Sequence, residues 1–181
     1  CRPRYRVQLW GVGQPEQTME RRHTILTEAT DAGLLGALAV AVWFLIHDSL
    51  RGRPLLTPSV LGQLFLLGNP HPVTSSIDFG AMILYTVVHF LLFLAFGFAL
   101  AALIRVSVEQ PVARFGVLVL FAVFELLFYV ALRVVSSEVS ALFPVWTVAG
   151  ANLLATAVMG GYFWFRYPEL KQVLREEPLG A

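Results

Sequence analysis

The stretch VARFGVLVLFAVFELLFYVALRVV, Val112 to Val135, is long enough to cross a bilayer as one helix and carries a single carboxylate, Glu125, near its middle. A charged group at that depth costs at least ~3 kcal/mol on insertion scales, so Glu125 needs a partner, in a functional site or in a structural pairing. Three further apolar blocks surround this one. AGLLGALAVAVWFLIHDSL follows Asp31 and predicts a span over about 32–50, FGAMILYTVVHFLLFLAFGFALAALI predicts one over 79–104, and the last runs over 143–166. With 112–135, the expected fold class is all-α: a polytopic membrane protein, built as a four-helix transmembrane bundle.

Composition agrees with this class. Of 181 residues 57% are hydrophobic and 14% charged, against roughly 25% charged in soluble domains. No basic patch is interleaved with aromatics, so nucleic acid is not an expected partner. The one cysteine, Cys1, excludes a disulfide, a thiolate metal site and a CxxCH haem attachment. No HExxH or comparable spacing points to metal, and no Gly-rich phosphate loop is present. Ser136, Ser137 and Ser140 fall in a turn without a nearby base, so no catalytic residue is nominated and the reading is against an enzyme.

The spans carry small residues at helical spacing: Gly33, Ala37 and Ala41 in the first, Ala95 and Ala99 or Gly97 and Ala101 in the second, Ala151 and Ala155 in the fourth. Such strips let helices approach closely. Tyr162, Trp164 and Tyr167 fall where an aromatic belt belongs. Residues 1–30 are polar and arginine-rich without an apolar period, which predicts a loose tail, with the membrane domain at 31–167 and a second tail at 168–181. Between the first two spans, Thr57-Pro58 predicts an N-cap followed by proline at the first helical position, and Gly68-Asn69-Pro70 predicts a stop. The segment between them, SVLGQLFLLG, is too short to cross and is expected as an interfacial helix in the first outer loop, with a re-entrant element as the alternative.

The basic residues set the orientation. With both termini cytoplasmic, ten (Arg2, Arg4, Arg6, Arg21, Arg22, Arg105, Arg114, Arg166, Lys171 and Arg175) are inside, against three (Arg51, Arg53 and Arg133) outside. That arrangement also favours Met19 as the natural start, with 1–18 upstream of it, over a lipidated Cys1, which would require the outer face.

Depth then groups the polar residues. His89 lies ten residues inward from Phe79, Glu125 ten inward from Val135 and Asn152 nine inward from Phe143. At ~1.5 Å per residue all three lie about 15 Å below the outer edge, in one midplane layer. Tyr85 precedes His89 by a turn, Tyr129 follows Glu125 by a turn and Arg133 lies a turn beyond, all on the outer side. These residues predict a polar cleft opening outward, with His47 and Asp48 at its mouth. It would serve as a site for a ligand, lipid or proton, or as interhelical glue, since buried Glu, His and Asn also hold helices together. His89 in an aromatic span is a candidate axial ligand for a b-type haem, but a second histidine at its depth is missing.

Gly52-Arg53-Pro54, Thr57-Pro58, Leu61-Gly62 and the stretch from Tyr85 to His89 resemble a group of uncharacterised bacterial four-span inner-membrane proteins. The resemblance covers most of the chain after Thr30 and implies a bacterial inner (cytoplasmic) membrane location, with no activity attached. Three functions are expected: an accessory membrane protein packing against partners or itself as a homo-oligomer or in a larger complex; a small-molecule, lipid or proton-handling protein using the polar layer; or a haem-binding redox protein.

Overall fold

The computed structural model describes residues 15–109, 116, 119–120, 122–123, 125–126, 129–130 and 142–166. Within them the chain is all-α, with α1 (Pro15–Leu50), α2 (Leu56–Phe65), α3 (Phe79–Glu109) and α4 (Val145–Arg166). Three of these are long and apolar enough to cross a membrane, over Ile25–Leu50, Phe79–Val106 and Val145–Arg166. The span expected over 112–135 lies largely outside the described residues. Those of its residues that are described, Glu125 and Tyr129 among them, are helical.

The first helix begins well ahead of the boundary expected at Asp31. Pro15 is accepted at a helix start because its missing N–H would have no partner there. Further along, Ile25, Ala29, Ala32 and Gly33 share one face, and Ala29 and Ala32 are fully buried, so residues 25–30 belong to the packed bundle and not to a loose tail. Glu28 made the stretch read as polar, yet its side chain points inward to two arginines.

Close backbone approach holds α1 to α3. A Cβ on Gly33 would stand 2.7 Å from the Phe93 carbonyl oxygen, and one on Gly97 would run into the Ala29 carbonyl. Gly33 and Ala37 of the expected strip are buried while Ala41 is exposed, because the contact line runs back through Ala29. On α3 the pair Gly97 and Ala101 is buried and the pair Ala95 and Ala99 is exposed. Ala151 and Ala155 of α4 complete this core with Met159 and Phe163. In lipid the burial of apolar surface drives little helix association, so these seams are made of small residues that maximise van der Waals contact. The outward faces carry large apolar side chains such as Leu153, 71% exposed, and Phe165, 83% exposed, a surface suited to acyl chains.

Helix directions follow from the contacts at each end. Glu28 meets Arg105 of α3 and Arg166 of α4, while nearer the other end Trp43 Nε1 donates to the Thr147 carbonyl at 3.0 Å. Both α3 and α4 therefore run antiparallel to α1 and parallel to each other. The chain between Glu109 and Leu142 joins opposite ends of the bundle.

The short helix α2 packs on α3, with Gly62 against the Ala81 backbone and Val60, Leu61 and Leu64 fully buried beside Phe143 and Val148. Its start corrects the expected Thr57 cap. The helix begins at Leu56 after a left-handed Leu55 (φ 67), and Asp48 at the end of α1 supplies the cap, accepting from Thr57 N at 2.7 Å and from Thr57 Oγ1 at 2.8 Å. A carboxylate suits a helix N-terminus better than a hydroxyl does, because it meets both the free N–H groups and the positive end of the dipole. The helix stops at Phe65, ahead of the expected Gly68, which takes the left-handed conformation (φ 65) in the loop. Gln63 pins that loop, accepting from Val73 N at 2.9 Å, and Asp78 caps α3 by accepting from Ala81 N at 3.0 Å.

Candidate functional site

The mid-bundle polar residues fall on facing helices. Asn152, two turns into α4, donates through Nδ2 to Glu125 Oε2 at 3.0 Å. His89, near the middle of α3, contacts the Ala37 carbonyl through Nε2 at 3.2 Å. A carbonyl only accepts, so Nε2 carries the proton. The imidazole stacks on Tyr85 (ring centroids 5.8 Å apart) and leans on Phe93 at 4.8 Å, which fixes its plane.

Two cavities meet at Asn152 and Phe93. One, of about 510 Å³, is walled by Glu125, Tyr129, Asn152 and Thr156 together with Phe93, Phe96, Leu126 and Val145. Leu126 and Val145 are exposed, so this cavity reaches the lipid-facing surface. The other, of about 290 Å³, is walled by Tyr85, His89 and Asn152 among Phe44, Phe65, Leu92 and Val148. Both are apolar with a few convergent hydrogen-bonding groups, the usual make-up of a small-molecule site. Thr156 Oγ1 donates to the Asn152 carbonyl at 2.8 Å, which turns its hydroxyl back onto the helix.

Of the residues singled out from the sequence, Glu125 and Asn152 are hydrogen-bonded. His89 and Tyr85 share a cavity wall with Asn152, and Tyr129 shares one with Glu125. His89 makes its bond to the Ala37 carbonyl. Arg133 lies outside the described residues, as does Tyr167. Asp48 is spent on capping α2. His47 packs edge-on against Phe44 and Trp146 and borders a separate cavity with Arg51 and Arg53. Among the described residues no group of three His, Cys, Asp or Glu side chains is placed to hold a metal.

Sequence reasoning missed the cluster at the opposite end of the bundle. Glu28, only 4% exposed in its side chain, lies 3.3 Å from Arg105 and 3.4 Å from Arg166, and Tyr162 donates to Asp31 at 3.2 Å beside it. The signal was present in the helical spacing of Ile25, Ala29 and Ala32, which carries the first span's period back past Glu28.

Family models, curated proteins and solved structures were all compared with the chain, and none matches. Fold and site together define a helical protein with membrane-crossing helices and a hydrogen-bonded carboxylate–amide pair in an otherwise apolar wall.

Proposed function

We propose that the chain is a four-span bundle of a bacterial inner membrane, its termini cytoplasmic and α2 outermost, which takes up a membrane-soluble molecule bearing a hydrogen-bonding head. The observation that carries this reading is the bond from Asn152 to Glu125 on the wall of the 510 Å³ cavity. The apolar body of such a molecule would lie against Phe93, Phe96 and Leu126. Its head would exchange hydrogen bonds with Glu125 and Asn152, and reach His89 through the adjoining cavity. Small size, apolar walls and access from the lipid side suit a ligand that partitions from the bilayer.

Four spans are supported by helix direction: parallel α3 and α4 require the intervening chain to travel the length of the bundle. The excess of arginines at the Glu28 end supports the orientation, and the resemblance of the loop and second span supports the location.

The accessory-protein reading loses part of its basis, since Gly33, Gly97, Ala151 and Ala155 are used in packing within the chain. The exposed pair Ala95 and Ala99 keeps it as the second reading. For haem, an iron on His89 Nε2 would displace the bond to Ala37.

The test is native mass spectrometry and solvent extraction of protein purified in mild detergent. Wild type is expected to carry a small apolar molecule that Glu125→Gln loses with little change in unfolding temperature, and that Asn152→Leu loses together with some stability, because it leaves the Glu125 carboxyl without its donor. The same bound complement in all three proteins would refute the site.

A further inference from the structure

The end of the bundle that carries α2 holds a second site of different chemistry. A cavity of about 230 Å³ there is bordered by His47, Asp48, Arg51, Arg53, Thr57 and Leu142. Its charges are unevenly committed. Both oxygens of Asp48 accept from Thr57, so the one carboxylate among the described lining residues is hydrogen-bonded within the chain. Arg51 Nη1 reaches the Leu142 carbonyl only at 3.4 Å and Arg53 Nη1 the Thr74 carbonyl at 3.5 Å. A guanidinium carries five N–H donors, so among the described residues most of this donor capacity is uncommitted.

His47 supplies an independent sign. Its side chain is 13% exposed and its ring is held by Phe44 and Trp146, yet neither buried ring nitrogen has a hydrogen-bond partner among the described residues. Asp48 Oδ1 lies 3.9 Å from Nδ1, too far for a hydrogen bond. A buried imidazole without partners is costly unless something beyond these residues bonds to it.

Two arginine forks and an imidazole beside one hydrogen-bonded carboxylate leave a positive excess that selects an anion, and the tetrahedral oxygens of phosphate match the fork geometry of arginine. The volume equals about eight waters of liquid, room for a phosphate group with some hydration and not for a full-length lipid acyl chain. We propose that this cavity binds a phosphate group, carried by a lipid headgroup or free in solution. For helices that cross a bilayer, their ends lie at the level of the headgroups. The proposal is independent of the mid-bundle site, from which it differs in both charge and residues.

The test uses the full chain in a neutral detergent, titrated by calorimetry with dioctanoyl phosphatidate, with inorganic phosphate and with dioctanoylglycerol. Phosphatidate or phosphate is expected to bind, dioctanoylglycerol, whose chemistry suits the mid-bundle cavity, is not expected to displace either, and the double variant Arg51→Gln, Arg53→Gln should weaken phosphate-compound binding tenfold or more. His47→Gln is expected to weaken it severalfold and Glu125→Gln to leave it unchanged. Binding of phosphatidate alone identifies a headgroup site, and equal binding of inorganic phosphate identifies a free-anion site. The proposal is overturned if neither phosphate compound binds. It is equally overturned if dioctanoylglycerol displaces the bound phosphate compound, or if the folded double variant binds that compound like wild type.

Discussion

Glu28 is the residue at which chemistry and packing are most tightly coupled. Its carboxylate is almost fully buried, and what makes that tolerable is the pair of arginines arriving from α3 and α4. Their exposures rank the contributions. Arg105 is 27% exposed, whereas Arg166 is 57% exposed and its attraction is the more screened by solvent. Removing one member of a buried pair costs ~3–5 kcal/mol, because the remaining charge is left without compensation. Thermal unfolding in detergent should therefore place Glu28→Ala and Arg105→Ala well below wild type, and Arg166→Ala close to it, within ~1 kcal/mol. An Arg166 variant that unfolds first would contradict this ranking. Composition gave no hint of the cluster: a carboxylate among arginines and threonines reads as solvated until the helix phase set by Ala29 and Ala32 turns it inward.

Among the elements, α2 depends most on a residue outside itself. Asp48 lies in the last turn of α1 and caps α2, so the loop of Arg51 to Leu55 is held by one residue, its backbone carbonyl accepting from Arg51 N and Arg53 N and its carboxylate from Thr57. Replacing it with alanine leaves the buried Thr57 N–H and hydroxyl without acceptors, at ~1–3 kcal/mol. Asp48→Ala should speed amide hydrogen exchange across α2 by roughly tenfold or more, while amides in the middle of α1 and α3 keep their protection. Uniform acceleration throughout the chain would mean that the cap serves the whole bundle and not this helix. The existence of α2 is readable from its proline, glycine and apolar run, because turn chemistry is local. The identity of its cap is not, since Asp48 and Thr57 meet only once α1 has ended and the chain has turned. The same distinction separates the Glu125, Asn152 and His89 level from its details. A fixed rise per residue predicts height, whereas the rotation that aims His89 at the Ala37 carbonyl depends on how Gly33 and Gly97 let two helices touch.

At the scale of the whole molecule, direction and number of crossings are linked. Glu28 with Arg105 and Arg166, and Trp43 with Thr147, make α3 and α4 parallel. A chain that leaves α3 at one end and enters α4 at the other has to return between them, and 112–135 is apolar enough to do so through lipid. Three crossings would put the two termini on opposite sides of the membrane; four put them on the same side. Fusions that report side of membrane separate these cases. Alkaline phosphatase, active only outside, should be silent at the C-terminus and active when placed after Gly68, while a fluorescent protein at the C-terminus should glow. An inverted pattern at both sites would reverse the orientation inferred from the arginines and leave the crossing number intact. Phosphatase activity at both sites would mean that 112–135 does not cross, and the Glu125 and Asn152 level would then lose its place at the midplane.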